Sequence, residues 1–346
     1  MTEHSWERRW QPLFQEWVVI SANTAERPWS GAEFEPAENK DPKHDPTCYL
    51  CPGNTRAKDK TNPLYQQPWA FDNDFPSLSF AAPNVTEDHS ELHRVAPAHG
   101  VCRVLCWHPR HDKTLAELAK DELFAVVKLW QKEFRSIRKN PDIKHILIFE
   151  NKGMEIGVSN PHPHGQIYAS SFVSRQINTM RQAQFDYHKK TKKSLVLDLL
   201  LLPRHREFII EENDHFILAT PFAPRFAYES WIVPKRLVNT IDDLSEDELK
   251  KLSEIHGNAI RRYNNLFQRE APNITLLHNA PVDTDPQNTA WQFMIIFQPP
   301  LRDLTKLKYL AGFESGTHCI INPVQPEIAA RRLQNSMRKE ADQSCI

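Results

Sequence analysis

Apolar residues recur at helical spacing in two long segments of the chain. The first face runs from Leu123 to Ile137 and the second from Leu249 to Tyr263, in steps of three and four residues that keep side chains on one side of a helix. The apolar positions are Leu123, Val126, Val127, Trp130, Phe134 and Ile137, and then Leu249, Leu252, His256, Ala259, Ile260 and Tyr263. Ser245 and Glu248 have the spacing of a capping box. We therefore predict two amphipathic helices.

Short segments with the composition of β-strands flank both helices. Residues 101–107 precede the first helix and residues 143–150 follow it, while residues 229–233 and 274–278 hold the same places around the second. A further apolar segment comes next in each half. The order strand, helix, strand, strand therefore occurs twice, and we predict an α+β fold of antiparallel sheets with flanking helices.

The two halves also share an internal sequence echo. The segment TLAELAKDEL at residues 114–123 returns as TIDDLSEDEL at residues 240–249, which is 126 residues later. This match favours a duplication. After the third element the copies diverge, because Met294 and Ile296 fall where His162 and His164 lie in the first copy. We expect the first half to carry the chemistry.

The remaining segments are less regular. Residues 23–98 are rich in proline and polar residues and predict a long loop region with a few short strands. Residues 171–205 are basic and polar, and we expect a helix within them. The segment from Pro326 onward has apolar residues at helical spacing, which predicts a final helix and a frayed end.

Composition and charge exclude several classes of protein. Lysine plus arginine, at 43, nearly balances aspartate plus glutamate, at 44, so no overall field would attract nucleic acid or an anionic membrane. No apolar run is long enough for a membrane span or a signal peptide, and we expect a cytoplasmic protein. With 9 glycines in 346 residues, neither glycine-rich phosphate-binding motif occurs. A phosphate would have to be held by side chains or by other turns.

Cysteine and histidine spacing indicates a metal site. Cys48 and Cys51 are separated by two residues, so one tight turn can bring both thiolates to a zinc ion. Two further ligands are needed. Cys102 and Cys106 are one option, although they lie in an apolar, strand-like run in which a buried free cysteine is the commoner finding. His111 with His162 and His164 is the other option.

The run from His162 to Gln166, HPHGQ, is the strongest chemical signal. Alternate residues of an extended segment point to the same side, so we expect His162, His164 and Gln166 to line one surface. A neutral imidazole is a good nucleophile for phosphorus. An amide two residues away could stabilise the charge that develops on a phosphate oxygen. His164 is our candidate nucleophile.

At this point the chain resembles the galactose-1-phosphate uridylyltransferases of the histidine-triad superfamily, whose signature is HPHGQ. Further motifs follow in the family's order along most of the chain. They are Arg27-Pro-Trp29, Cys48-x-x-Cys51-Pro-Gly-Asn54, Asn73-Asp-Phe75, His111, Phe149-Glu-Asn-Lys-Gly153, Ser159-Asn-Pro-His-Pro-His-Gly-Gln166, Pro299-Pro300, Lys308 and Gly312-Phe-Glu314. The resemblance implies two fused histidine-triad units, here residues 1–190 with the zinc site and residues 191–346 without the histidine motif.

The resemblance also implies a reaction, which is a double displacement. His164 would take the uridylyl group from UDP-glucose, release glucose 1-phosphate, and pass the group to galactose 1-phosphate. The enzyme would be a UDP-glucose:hexose-1-phosphate uridylyltransferase that acts on small molecules and forms a homodimer.

Individual roles carry over to matching positions. Arg27, Ser159 and Gln166 match residues that hold phosphate oxygens, Asn73 and Asp74 those that hold the ribose, and Phe75 one near the uracil. Asn151 is a further expected substrate contact, and Lys308, Phe313 and Glu314 lie in the region of hexose contacts, which often crosses a dimer interface. The implied zinc ligands are Cys48, Cys51, His111 and His162, and this zinc would be structural.

The second half departs from the family's better-known bacterial members. Those members bind another metal through a glutamate and three histidines, whereas here only His278 matches, with Met180, Met294 and Ile296 at the other positions. We predict that this second metal site is absent and that each chain binds one zinc. Residues 314–323 also differ, so the preferred hexose is open.

Two alternative functions remain at this stage. An ADP-sugar phosphorylase of the same superfamily resembles the chain in its second-half departures and in the pattern Gly-Thr-x-Cys-x-Ile-Asn-Pro, but its signature lacks the Pro-His-Gly found at residues 163–165. A non-catalytic zinc protein that senses nucleotide sugars would not need His164 and Gln166.

Overall fold

The structure is a computed structural model that describes residues 6–21, 41–83, 85 and 92–337. Its main element is a nine-stranded antiparallel sheet, in which the strands lie in the order β3-β4-β6-β5-β10-β11-β9-β8-β7. The strands are β3 (Trp69–Asp72), β4 (Gly100–Cys106), β5 (His145–Lys152), β6 (His164–Ser170), β7 (Ile209–Glu212), β8 (Phe216–Ala219), β9 (Ser230–Pro234), β10 (Asn273–His278) and β11 (Met294–Gln298).

A second, smaller sheet has three strands in the order β1-β2-β12. They are β1 (Trp6–Gln11), β2 (Glu16–Ser21) and β12 (Ile321–Asn322), and β12 pairs with β2 in parallel. The helices of the described residues are α1 (Lys120–Ile137), α2 (Arg175–Thr191), α3 (Leu195–Leu201), α4 (Glu246–Phe267), α5 (Phe313–Thr317) and α6 (Pro326–Asn335). No helix in the described part of the chain is long and apolar enough to cross a membrane. The cytoplasmic location stays a prediction.

The two halves meet at the centre of the large sheet, where β5 pairs with β10. β4, α1, β5 and β6 form one half, and β9, α4, β10 and β11 repeat the order in the other. Both predicted helical faces are buried in one core against the sheet. The predicted α+β fold of two fused units with strand-helix-strand-strand order is therefore confirmed.

The other face of the sheet is covered differently in the two halves. In the second half, α2, α3 and the turn after β1 bury an apolar cluster that includes Met294 and Ile296. In the first half, the corresponding face carries polar residues and stays accessible. Gln166 and Ile296 lie in one row across the sheet. Gln166 pairs with Phe149, Phe149 pairs with Leu276, and Leu276 pairs with Ile296.

Several elements differ from the sequence prediction. The β1–β2 hairpin, β7, β8, α5 and β12 were not foreseen, and β6 begins at His164, so His162 precedes the strand. His162 therefore does not share the strand surface of His164 and Gln166, because its side chain turns into a buried cysteine and histidine cluster. The domain boundary predicted at residue 190 falls at the end of α2 and stays a prediction.

Candidate active site

Strand β6 presents His164 and Gln166 on its open face. Ile167 and Ala169 point the other way into the core, and the alternation of strand side chains leaves the even-numbered positions outside it. β6 lies between β4 and β5, which pair with it over most of its length. A nucleophile in an interior strand is held by hydrogen bonds on both sides.

Gly165 allows β6 to approach Trp107 closely. A Cβ atom at this position would lie 2.2 Å from Cζ2 of Trp107 and 2.7 Å from the carbonyl oxygen of Phe149, well inside van der Waals contact. Trp107 is itself fixed, because its backbone N–H donates to Pro163 and its indole N–H donates to Glu150, both at 3.0 Å. The glycine next to His164 therefore has a packing reason.

The His164 ring has one nitrogen committed and one free for attack. Nδ1 lies 2.7 Å from the carbonyl oxygen of His162, and since a carbonyl only accepts, Nδ1 carries the proton and Nε2 has its lone pair. Burial lowers the pKa of His164 below its ordinary value, while the bond to His162 opposes this shift. The ring is therefore neutral near pH 7, as a nucleophile must be.

Four buried side chains converge beside this strand. The ligand atoms of Cys48, Cys51, His111 and His162 all lie within 4.8 Å of one another. Cys51 Sγ lies 3.6 Å from Nδ1 of His111 and 3.5 Å from Nδ1 of His162, and ligands around one tetrahedral zinc ion are about 3.5 Å apart. The arrangement matches a closed two-cysteine, two-histidine site.

Hydrogen bonds around this cluster orient its members for a metal. Nε2 of His162 lies 3.0 Å from the carbonyl oxygen of His108, which places the proton on Nε2 and leaves the Nδ1 lone pair toward the cysteines. Burial lowers the pKa of His162 to about 3, so the ring is neutral. The N–H of Leu50, at 3.3 Å, and the amide of Asn160, at 3.5 Å, donate to Cys48 Sγ and hold it in place. The donor set thus fits zinc.

The two other cysteines considered from the sequence are not among these four. Cys102 and Cys106 are both buried in β4, and Cys106 packs in the same apolar cluster as Cys48 and Cys51. A search of the described residues for groups of three or more histidine, cysteine, aspartate or glutamate side chains that could hold a metal ion gives Cys48, Cys51, His111 and His162. Of the two options for the further ligands, the structure brings His111 and His162 to Cys48 and Cys51, and it does not bring Cys102, Cys106 or His164 into this cluster.

A cavity of about 570 Å³ opens in front of His164. It is bounded by the loop of residues 49–57, by the turn after β3, and by the loop before β6. Its wall brings together seven predicted residues, Asn73, Asp74, Phe75, Asn151, Ser159, His164 and Gln166. Phe75 is 78% exposed, which leaves its ring available to stack on a planar ligand.

Two basic residues of this region were missed by the sequence analysis. Arg56 lines the cavity, and its Nη1 lies 3.3 Å from Asp74, whose other oxygen lies 3.1 Å from Lys60 Nζ. Both cations belong to a polar loop that follows Cys51, and nothing in the sequence distinguishes them from solvated loop charges. Only the folded chain shows that they meet the carboxylate.

A second cavity of about 610 Å³ also reaches His164. It lies toward the C-terminal end of α4 and contains charged residues of both signs, among them Glu150, Lys152 and Arg269. The two cavities share Asn151, Val158, Ser159 and His164. His164 therefore stands where two chambers meet.

The predicted hexose contacts lie elsewhere in the chain. Neither cavity beside His164 is lined by Lys308, Phe313 or Glu314. The Lys308 ammonium pairs with Glu314 at 2.5 Å, and Phe313 is 57% exposed. The structure does not bring these three residues to His164 within one chain. Arg27 lies outside the described residues.

Three of the four residues at the expected position of a second metal are apolar. His278 is buried, and burial lowers its pKa to about 3. Met294, its cross-strand partner, lies with Met180 and Ile296 in the apolar cluster of the second half. Met180, Met294 and Ile296 offer neither a carboxylate nor an imidazole ligand, and the absence of a second metal site stays a prediction.

Comparison with known proteins gives one family for nearly the whole chain. The N-terminal domain of galactose-1-phosphate uridyl transferase matches residues 1–174, and the C-terminal domain of the same family matches residues 179–343.

Named relatives agree over nearly the full length. The galactose-1-phosphate uridylyltransferase of Haemophilus influenzae is 36% identical over 315 residues, which cover 90% of this chain and 89% of the relative. The galactose-1-phosphate uridylyltransferase of Rattus norvegicus is 35% identical over 335 residues, with 94% and 86% covered.

Among solved structures, an ADP-glucose phosphorylase from Arabidopsis thaliana with bound ADP-glucose is similar in fold. The TM-score is 0.77 at 23% identity, with 96% of this chain and 98% of the other covered. At that identity the likeness concerns the fold alone.

Proposed function

Because the chain belongs to the galactose-1-phosphate uridylyltransferase family, we propose that it exchanges a uridylyl group between UDP-glucose and a hexose 1-phosphate, with His164 as the nucleophile. The observation that carries this proposal is the state of His164. Its neutral ring donates from Nδ1 to a backbone carbonyl and opens onto a cavity that gathers the expected nucleotide contacts.

The reaction follows from this geometry in two balanced steps. Nε2 of His164 attacks the α-phosphorus of UDP-glucose and forms a P–N bond, while the P–O bond to glucose 1-phosphate breaks and that phosphate leaves with the electron pair. The proton stays on Nδ1, in its bond to His162. A phosphate oxygen of galactose 1-phosphate then attacks the same phosphorus, and the electron pair of the P–N bond returns to Nε2.

The other predicted residues take binding roles. Gln166 and Ser159 would hold oxygens of the phosphate as charge develops, and Arg27 would add a positive charge. The ribose would lie against Asn73 and Asp74, the uracil against Phe75, and Asn151 would contact the substrate between the two chambers. Each role except that of Arg27 is supported by a place in the wall of the cavity.

The metal would be one structural zinc held by Cys48, Cys51, His111 and His162. Four protein ligands leave no open position for substrate, so the ion would act by fixing the loops that bear its ligands. His162 precedes His164 by two residues and accepts its Nδ1–H, so the zinc would fix the residue that orients the nucleophile. Metal analysis should give one equivalent per chain, and two tightly bound equivalents would contradict the proposal.

The hexose end of the site would come from a second copy of the chain. Lys308, Phe313 and Glu314 match the family's hexose region, yet they line neither chamber in their own chain. Apolar residues around them are exposed, with Tyr309 at 53% and Leu310 at 46%. A homodimer would cover this apolar surface and deliver these residues to the partner's His164.

Trapping the covalent intermediate tests the proposed function. The chain is incubated with UDP-glucose that carries a radiolabel in its uridine, and label should remain on His164 until galactose 1-phosphate is added. The His164→Ala variant should take up none, whereas His93→Ala, which changes an exposed histidine, should behave as the wild type. A wild-type protein that binds UDP-glucose without acquiring label would contradict the proposal and support a sensor.

The same experiment addresses the alternative of an ADP-sugar phosphorylase. The structure of an ADP-glucose phosphorylase shares the fold over 96% of this chain, but a uridylyltransferase structure matches with the same TM-score of 0.77, so the fold does not distinguish the two activities. Label transferred from ADP-glucose and not from UDP-glucose would establish the alternative. We expect the reverse, since the relatives with more than 30% identity are named uridylyltransferases.

A further inference from the structure

We propose that Arg56 is a positioning residue that holds the carboxylate of Asp74 in the orientation that receives the ribose hydroxyls of a uridine nucleotide. This inference rests on the proposed function, because it takes Asp74 as the ribose acceptor. It adds a residue that the sequence motifs do not include.

Arg56 and Lys60 each form an ion pair with Asp74. Nη1 of Arg56 lies 3.3 Å from one carboxylate oxygen and Nζ of Lys60 lies 3.1 Å from the other. Only 7% of the Asp74 side chain and 12% of the Arg56 side chain are exposed, compared with 51% for Lys60. The arginine contact is therefore the buried one, where a charge-assisted hydrogen bond is strongest.

An aromatic column fixes the guanidinium in this place. The group stands 4.0 Å above the centre of the Phe71 ring and 5.8 Å from that of Trp69. Trp69 stacks between Phe71, at 4.8 Å, and Tyr65, at 5.2 Å. Because a planar cation stacks well on aromatic faces, the Arg56 side chain has little rotational freedom. Its hydrogen bond to Asp74 therefore also restricts the orientation of that carboxylate.

The base of the column reaches the zinc-ligand cluster. The hydroxyl of Tyr65 donates to the carbonyl of Leu50 at 2.7 Å and lies 3.2 Å from Nε2 of His162. The loop that carries Arg56 is tied to the same region, since the Asn62 amide donates to the carbonyls of Tyr49 and Cys51. These hydrogen bonds join the loop that bears Arg56 to the segment that bears Cys48 and Cys51.

Charge gives a second reason for the pair. A nucleoside diphosphate brings several negative charges into the cavity that Asp74 lines, and an uncompensated carboxylate would repel it. The two cations offset the carboxylate, and its oxygens keep lone pairs for hydroxyl donors. The ion pair lowers the repulsion between Asp74 and the phosphates and leaves the Asp74 oxygens able to accept hydrogen bonds from the ribose hydroxyls. Neither Arg56 nor Asp74 alone would do both.

The test is the discrimination between UDP and its 2′-deoxy and 3′-deoxy analogues, measured as dissociation constants by calorimetry. The wild type should prefer UDP over at least one analogue by about tenfold or more, since an unmet buried acceptor costs affinity. The Arg56→Met variant should weaken UDP binding by about tenfold and reduce that preference to near unity. Asp74→Asn should act alike, and the double variant should be no weaker than Asp74→Asn alone.

Other variants separate positioning from other causes. Arg135→Met removes an arginine that pairs with Asp242 far from the cavity and should leave both constants unchanged. Arg56→Lys keeps the charge and should show an intermediate preference, and it replaces the methionine variant if that one loses zinc or thermal stability. Preference retained in Arg56→Met, or losses that multiply in the double variant, would overturn the proposal, because Arg56 would then contact the nucleotide directly. So would a wild type without preference.

The outcome is independent of turnover. A wild-type protein that distinguishes UDP from its deoxy analogues but forms no uridylylated His164 would refute the proposed function and leave the role of Arg56 standing. Normal exchange without discrimination in binding would do the opposite.

Discussion

At Gly165 the absence of a side chain decides whether β6 can lie against Trp107. We predict that Gly165→Ala pushes the strand away from the indole and moves His164, because the new Cβ would meet Trp107 at 2.2 Å and a backbone oxygen at 2.7 Å. Overpacking of this kind costs about 1–3 kcal/mol of unfolding free energy. Uridylyl exchange should fall by about a hundredfold, since small displacements of a catalytic group have effects of that size.

Gly316 supplies the matched control. A Cβ at this helical glycine would meet no atom within 4 Å, so Gly316→Ala should not lower the thermal midpoint; its exchange rate is not compared, because α5 belongs to the proposed hexose region. If both variants behaved alike, the close contact with Trp107 would not matter for the position of His164.

Buried histidines make the stability of the chain sensitive to acid. His256 lies on the core face of α4 between Trp130 and Phe297, with ring centres 5.1 and 5.4 Å away, and burial lowers its pKa to about 3 from an ordinary 6.5. The unfolded chain therefore binds more protons below pH 6.5. The stability from a neutral His256 is present above that value and is lost as the pH falls toward 3.

The His256→Leu variant should remove this dependence. Between pH 7 and 5, the wild type should lose about 2 kcal/mol more unfolding free energy than the variant, measured by urea denaturation at each pH. His93→Leu changes an exposed histidine and should leave the slope as in the wild type. Equal slopes in the wild type and His256→Leu would show that His256 does not titrate on unfolding.

At the level of elements, the internal echo extends to hydrogen bonds at the helix starts. Before α4, Ser245 and Glu248 form both halves of a capping box. Before α1, Glu122 accepts from the Ala119 N–H at 2.7 Å, but alanine offers no oxygen in return. The two positions have the same backbone conformation, with φ of −65° and −68°, so α1 has half of the cap that α4 has.

Ala119→Ser should complete this cap and raise the unfolding free energy by about 0.5–1 kcal/mol, and Ser245→Ala should lower it by about 1 kcal/mol. Thermal unfolding of the two single variants checks both signs. A destabilised Ala119→Ser variant would show that the repeat does not extend to the caps.

The elements also show where sequence reasoning succeeds and stops. The faces of α1 and α4 could be predicted because each depends on spacing within one segment, and all twelve predicted positions are buried. The ion pair between Arg56 and Asp74 could not be predicted, because it joins a loop to a strand end that come together only in the folded chain. The β1–β2 hairpin was missed because its exposed tryptophans, such as Trp6 and Trp17, do not alternate as a half-buried strand would.

At the scale of the whole molecule, the large sheet has one face that is treated differently in its two halves. This face is open and polar in the first half and is covered by apolar packing in the second. In the second half, α2 and α3 cover the face that corresponds to the one bearing His164. In the first half, the loop of residues 49–57 and the turn after β3 form a cavity over that face and leave it accessible. One continuous sheet thus carries an open surface with His164 in one half and a packed apolar face in the other.

The separation of Phe313 from His164 leads to a prediction about the assembly. If each site combines His164 of one chain with Phe313 of its partner, His164→Ala and Phe313→Ala should each have little activity alone. After the two are unfolded together and refolded in equal amounts, half of the dimers should be mixed and each should contain one intact site. Activity should then return to about a quarter of the wild-type value.

Phe313 suits this experiment because its ring is 57% exposed in its own chain, so its removal should not disturb the fold. The control mixes His164→Ala with the double variant that lacks both side chains, since no combination of those chains rebuilds a site. A different affinity tag on each chain, with capture through both tags in turn, shows whether mixed dimers have formed. Mixed dimers without recovered activity would mean that His164 and Phe313 do not act in one site across the interface. The hexose would then have to be held by residues of the same chain as His164. The second cavity, which is lined by Glu150, Lys152 and Arg269, offers space for it.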